Sequence, residues 1–145
     1  MHNNILVPID LNAKGFSDKA LELAVWHATH SNAKIHLLNV LPGVHMPMVS
    51  SYFPKDAAEL MKADVKKQLS EFALAHIPEE VEYTTYVAEG KAYSTILKYA
   101  EKLDVDLIIM PSHKRSKVDR VVLGSVAAKV VQNSPINVLI VKPKG

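Results

Sequence analysis

A chain of 145 residues, 48% hydrophobic and without cysteine, has the size of one domain, enough apolar mass for a core, and no route to a disulfide or to thiol chemistry. Its net charge of +2 is too small to mark a nucleic-acid or membrane-surface protein, and no apolar run approaches the roughly 18 residues of a membrane span. The expectation is a single domain over residues 1–145, with no membrane insertion and no nucleic-acid partner; the missing cysteines, and an N-terminus that enters a strand with no room for a signal peptide, point to the cytoplasm.

The first strand spans Ile5 to Ile9, apolar at nearly every position as in a parallel strand covered on both faces. Pro8 stands near its end, where a missing N–H does least harm, and Asp10 follows at the carboxyl tip. Ser17 reads as an N-cap and Asp18 suits a first helical turn; Leu21, Ala24, Val25 and Ala28 then mark one face of a helix running to about His30. Ser31 and Asn32 break it. The second strand is Lys34 to Val40. Leu41 to Pro54 holds four of the prolines and glycines, reads as a long loop, and leaves the same sheet edge as Asp10.

Met61, Val65, Leu69, Phe72, Ala73 and His76 recur at helical spacing, which predicts a helix from about Asp56 to His76, ended by Pro78. The third strand, Val81 to Ala88, alternates Tyr83, Thr85 and Val87 against Glu82, Thr84 and Tyr86, the pattern of a sheet edge with one face less covered. After Gly90, a third helix carries Tyr93, Ile96, Leu97, Ala100 and Leu103. Leu107 to Met110 is a buried fourth strand. A basic loop from Ser112 to Arg120 follows, with Lys114, Arg115, Lys117 and Arg120, and it leads to a helix opening near Gly124 and Ser125. Asn133-Ser134-Pro135 stops that helix, and Ile136 to Val141 is the fifth strand.

Five strands alternating with four helices predict an α/β fold with an open parallel sheet. Such sheets take ligands outside the carboxyl ends of the strands, where the strand order reverses. With strands one and four as neighbours there, Asp10 and the loop from Ser112 to Ser125 face one crevice. At Gly124-Ser125 the free N–H groups of a helix N-terminus favour an anion, and the basic cluster adds to that field. Asp10 is placed to accept from an adenine amino group or a ribose, or to hold a metal; capping of nearby backbone is the plainer alternative. His113 donates to a phosphate or is an ordinary loop histidine. His27 and His30 share a helix face without a clear third ligand, so no metal site is assigned. P-loop, Gly-x-Gly-x-x-Gly and nucleophile-elbow motifs are all absent from the sequence.

The stretches ILVPIDLNAKGFSDKALELA, VAEGKAYSTILKYAEKLDVDLIIMPSHKRSK and VVLGSVAAKVVQNSPINVLIVK resemble the universal stress protein family, and the resemblance covers nearly the whole chain. It implies a Rossmann-like, adenine nucleotide alpha hydrolase-like sheet in the order 3-2-1-4-5. It also implies a homodimer paired through the last strand, Ile136–Val141, an uncovered apolar edge that invites pairing on physical grounds too. The ATP-binding branch of the family carries Gly-x2-Gly-x9-Gly-Ser/Thr. Here the register is kept at positions 111, 114 and 124, with Gly124 and Ser125 matching and Pro111 and Lys114 standing for the first two glycines. Pro111 offers no N–H; Lys114 either fills the triphosphate groove or substitutes a cation for backbone contacts.

Read through that resemblance, the cofactor is ATP, with or without Mg2+, or else AMP or ADP. Its implied contacts are Pro8, Asp10, Val40, Met110, His113, Lys114, Arg115, Gly124, Ser125 and Val126. Two functions stay open. One is a stress-response regulator that binds ATP or a related adenine nucleotide at the carboxyl edge of the sheet. The other is a nucleotide-free dimeric interaction or signalling module that has lost ATP binding and acts on an unknown protein partner. Slow ATP hydrolysis, resting on Asp10 and His113, is the most catalysis that the sequence supports.

Overall fold

Nine elements alternate along residues 3–11, 17–42, 55–112 and 123–142, the part of the chain that the computed structural model describes. They are β1 (Asn4–Pro8), α1 (Asp18–Ser31), β2 (Lys34–Leu41), α2 (Lys55–His76), β3 (Tyr83–Glu89), α3 (Ala92–Lys102), β4 (Leu107–Pro111), α4 (Ser125–Asn133) and β5 (Asn137–Val141). The strands form one parallel sheet in the order β3-β2-β1-β4-β5. The chain winds outward from β1 to β3, then returns to the other side of β1 for β4 and β5. The order therefore reverses between β1 and β4, the place where open α/β sheets take ligands.

Successive side chains of a strand go to opposite faces, and the apolar residues follow that period. Ile5, Val7, Ile35, Leu37 and Ile109 pack with Leu21 and Ala24 of α1 and with Leu69 and Ala73 of α2. Leu6, Leu38, Ile108 and Met110 pack on the other face with Ile96 and Ala100 of α3 and with Ala127 and Val130 of α4. Each wholly buried leucine or isoleucine contributes about 1.5–3 kcal/mol. The strands whose tips matter most are also tied at their starts. Asp106 accepts from the N–H of Asn3 at 2.8 Å and of Asn4 at 3.4 Å, while its own N–H donates to the Asn4 carbonyl at 3.0 Å.

The two buried polar side chains of β2, His36 and Asn39, are paired. His36 is buried in β2, with Nε2 3.0 Å from Asn4 Oδ1 and Nδ1 3.0 Å from the Tyr86 hydroxyl. An amide oxygen only accepts, so Nε2 carries the proton and the Tyr86 O–H donates to Nδ1. Burial first, and the Lys34 charge second, lower the His36 pKa below its ordinary 6.5, which keeps the ring neutral.

Several sequence expectations shift at the element ends, each for a local reason. Val81 falls outside β3 because its N–H closes a turn onto the Pro78 carbonyl at 3.1 Å. Ile136 falls outside β5 because its N–H and carbonyl bond the Ser134 hydroxyl, at 3.1 and 2.9 Å. The helix break expected at Ser31-Asn32 is a left-handed Asn32 at φ 58°, one of the few residues that enters that region cheaply. The expectation that β3 has one barer face does not hold. β3 does lie at the sheet edge, but Tyr83 through Val87 are all half-buried. Tyr83 and Val87 meet the α1–α2 layer and Tyr86 meets the α3 layer, so both faces are covered alike.

Candidate functional site

The tips of β1, β2 and β4 and the opening turn of α4 enclose a crevice of about 440 Å³. That is within the range of about 300–1,000 Å³ usual for small-molecule sites. Leu38, Val40, Ile96, Met110, Val126 and Ala127 give it apolar walls. Pro8, Leu41 and Pro111, each the last residue of its strand, place it at the carboxyl edge. Of the residues expected there from the sequence, Pro8, Asp10, Val40, Met110, Gly124, Ser125 and Val126 all line it. His113, Lys114 and Arg115 lie outside the described residues, as does the Leu41–Pro54 loop from position 43 onward.

The end of the crevice at α4 is built by backbone. Gly124 is the N-cap of α4, extended at φ −67° and ψ 160°, with no side-chain capping bond. Its own N–H is used, donating to the Ser112 carbonyl at 3.0 Å, and its carbonyl accepts from Ala128 at 2.9 Å. The Ser112 N–H in turn donates to the Val141 carbonyl at 3.1 Å, which fixes this junction to β5. A helix without a capping side chain leaves its first N–H groups to a ligand or to water. No acidic side chain sits in that first turn to compete with an anion. A second helix starts at the crevice wall, where Ala92 of α3 contributes to the lining. Gly90 makes that turn at φ +140°, and a Cβ there would press on Thr95 Oγ1 at 3.0 Å.

Asp10 is exposed at the β1 tip, two residues past Pro8. Its N–H donates to Ser17 Oγ at 3.3 Å. Ser17 holds the N-cap position of α1 as expected, but it does not cap. Its backbone is in the helical region (φ −90°, ψ −3°) instead of the extended one a capping serine needs, and its hydroxyl serves Asp10. Sequence reasoning missed Asn39 altogether. It lines the crevice from β2, is only 7% exposed, and donates from Nδ2 to the Ile9 carbonyl at 2.8 Å. A signal was available: a polar residue in a strand covered on both faces must find a partner.

Ser112 lines the same crevice at 5% exposure, and its hydroxyl has no hydrogen-bond partner among the described residues. An orphaned buried hydroxyl costs about 1–3 kcal/mol, a cost that a polar ligand beside it removes. Apolar walls, one carboxylate, an uncapped helix N-terminus and a spare hydroxyl match a flat apolar base, a polyol and a phosphate. A second hollow of about 480 Å³ lies among Leu97, Glu101, Asp104, Asn133 and Ile136. It faces the carboxyl ends of α3 and α4, whose dipoles repel an anion, so the first crevice is the stronger candidate for a phosphorylated ligand. Among the described residues no group of three His, Cys, Asp or Glu side chains is placed to hold a metal, and no helix is long and apolar enough to cross a membrane.

The model of the universal stress protein family matches residues 1–142. Universal stress protein YxiE of Bacillus subtilis is 33% identical over 152 residues, covering 98% of this chain and 100% of that protein. The solved structure of protein MJ0577, from Methanocaldococcus jannaschii, has a TM-score of 0.79 at 25% identity and covers 100% of this chain and 99% of its own. A universal stress protein solved in complex with cAMP has a TM-score of 0.66 at 23% identity, with 97% of each chain covered; at that identity it shows the shared fold.

Proposed function

The chain belongs to the universal stress protein family, and on that footing we propose that it is a stress-response regulator that binds ATP or a related adenine nucleotide in the β1–β4 crevice. The observation that carries the reading is the meeting of three features in one hollow: the Asp10 strand tip, the apolar walls, and the uncapped N-terminus of α4. Adenine nucleotide binding by a relative of the same fold, the cAMP complex, supports it. Pro8, Val40 and Met110 supply the apolar surface for the base. The Asp10 carboxylate accepts from an adenine amino group or a ribose hydroxyl. Phosphate lies against Gly124, Ser125 and Val126, and His113, Lys114 and Arg115, which precede them in the sequence, add contacts to it. Mg2+, where present, is held through the phosphates and water, as that ion commonly is.

The module works as a cytoplasmic homodimer paired along β5. In the single chain β5 is an outer strand of the sheet, and Val138, Leu139 and Ile140 on it are half-buried. A second reading, the nucleotide-free interaction module, draws on Pro111, which lines the crevice and has no N–H to offer a phosphate.

The deciding experiment is release of bound small molecules from freshly purified protein by heat, identification by mass spectrometry, and ATP titration calorimetry. Stoichiometric adenine nucleotide or micromolar binding, weakened in Ser125→Ala, upholds the nucleotide reading. No ligand and no heat of binding hands the protein to the second reading.

A further inference from the structure

Asp10 stands where the sheet has run out. The β1 ladder ends at Pro8, which has no N–H, and beyond it only Ile9 still bonds like a strand residue, donating to the Leu38 carbonyl at 2.8 Å. A residue in that position is fixed by whatever holds its backbone. Two side chains from other elements do so. Asn39 Nδ2 donates to the Ile9 carbonyl at 2.8 Å, the group next to the Asp10 peptide. Ser17 Oγ accepts from the Asp10 N–H at 3.3 Å. The two bonds fall on the two ends of the Ile9–Asp10 peptide unit, so its plane is held from both sides.

Neither residue is spent on an ordinary structural task at its position. Ser17 heads α1 without capping it. Asn39 occupies a strand place whose neighbours of the same parity, Ile35 and Leu37, are apolar core. Both are nearly fully buried and both line the crevice. The orientation of the Asn39 amide is chemically forced, because a carbonyl accepts only from the NH2 end.

We infer that Asn39 and Ser17 are positioning residues that clamp the β1 tip and thereby aim the Asp10 carboxylate into the crevice before a ligand arrives. This inference rests on the nucleotide reading above. Ordering a binding group in advance removes its ordering cost from the binding step, so the clamp acts on affinity through Asp10. Binding through the phosphate end is untouched by it.

The test is a double-mutant cycle with ATP as the probe, joined to amide hydrogen exchange on the ligand-free protein. Asn39→Ala is expected to weaken ATP about tenfold, the effect of one net hydrogen bond. In the Asp10→Ala background the same change is expected to have no further effect, since the group it positions is gone. Ser17→Ala removes the other tether from a different element, so the pair remains decidable if one variant folds poorly. The Asp10 amide is expected to exchange faster in both single variants. Additive losses in the cycle, or Asp10 exchange as slow as in the unmodified protein, overturn the positioning role. If the unmodified protein binds no ATP, the nucleotide reading fails on its own, and the exchange rates alone then keep or remove the clamp.

Discussion

Ser125→Asp separates the phosphate site from the stability of the helix that makes it, because the two respond with opposite sign. Ser125 is the first residue of α4, exposed, and its helix has neither a capping side chain nor an acid in the first turn. A carboxylate there meets the positive end of the dipole and is expected to stabilise the protein by about 0.3–1 kcal/mol. The same carboxylate occupies the field that a phosphate needs. At a separation of about 4 Å, two unit charges repel by ~1 kcal/mol in water and ~4 kcal/mol at an effective dielectric constant near 20. An exposed site falls toward the lower end, so ~1–2 kcal/mol is expected, an ATP affinity about 5–30-fold weaker. Calorimetric titration with ATP and with adenosine reads the difference, and urea unfolding reads the stability. The loss is expected for ATP alone. It is also expected to shrink from low to high salt, since the screening length falls from about 10 Å at 0.1 M to about 3 Å at 1 M. Unchanged ATP affinity in a folded variant, or an equal loss for adenosine, refutes the placement of phosphate at this helix end.

Asp10→Ala is expected to weaken ATP and adenosine alike by about ten- to a hundredfold, the range for a hydrogen bond to a charged group; a loss confined to ATP would move Asp10 away from the nucleoside. Light scattering is expected to show a dimer, and Val138→Lys, which puts a charge on the outer strand, is expected to give a folded monomer; a persistent dimer moves the interface off β5. His36 is neutral in the folded protein because burial and Lys34 lower its pKa below 6.5, so the unfolded chain binds the proton more readily. The stability this preserves is complete above pH 6.5 and is lost as pH falls from there through the folded-state pKa, and the slope of stability against pH is expected to flatten in His36→Leu. Equal slopes in the two proteins, measured by urea unfolding from pH 7.5 downward, exclude that role.

The sheet was readable because its strands are covered on both faces. Ile5 to Val7 and Leu107 to Met110 are unbroken apolar runs, and only helices on both sides make such runs stable. Their alternation with amphipathic helices leaves a parallel sheet as the consistent architecture, and the strand tips then locate the crevice without any motif. The errors fall where one hydrogen bond outweighs a pattern. Ser134 captures Ile136 from β5, and Pro78 captures Val81 from β3. The alternation in β3 was a weak guide because Thr84 and Tyr86, polar by type, are as buried as Tyr83 and Thr85. Threonine and tyrosine pack through their apolar parts while keeping a polar end for a partner.

The site was half readable for a related reason. Gly124 and Ser125 show themselves as a helix start, and Asp10 as a strand end, because both are boundary signals along the chain. Asn39 is not a boundary. Within KIHLLNVL, His36 and Asn39 look like gaps in an apolar run, three residues apart and therefore on opposite faces of β2. Their partners are set by sheet order, which no local window contains. With β1 and β3 flanking β2, His36 reaches Asn4 on one side and Tyr86 on the other, and Asn39 reaches Ile9. Once the order 3-2-1-4-5 is in hand, a covered strand with two polar residues makes a definite demand: each must bond across to a neighbour. For the residue nearer the carboxyl end, that neighbour is the β1 tip that carries Asp10. A polar interruption near the tip of a central strand is thus a site signal in its own right, legible only after the topology is known.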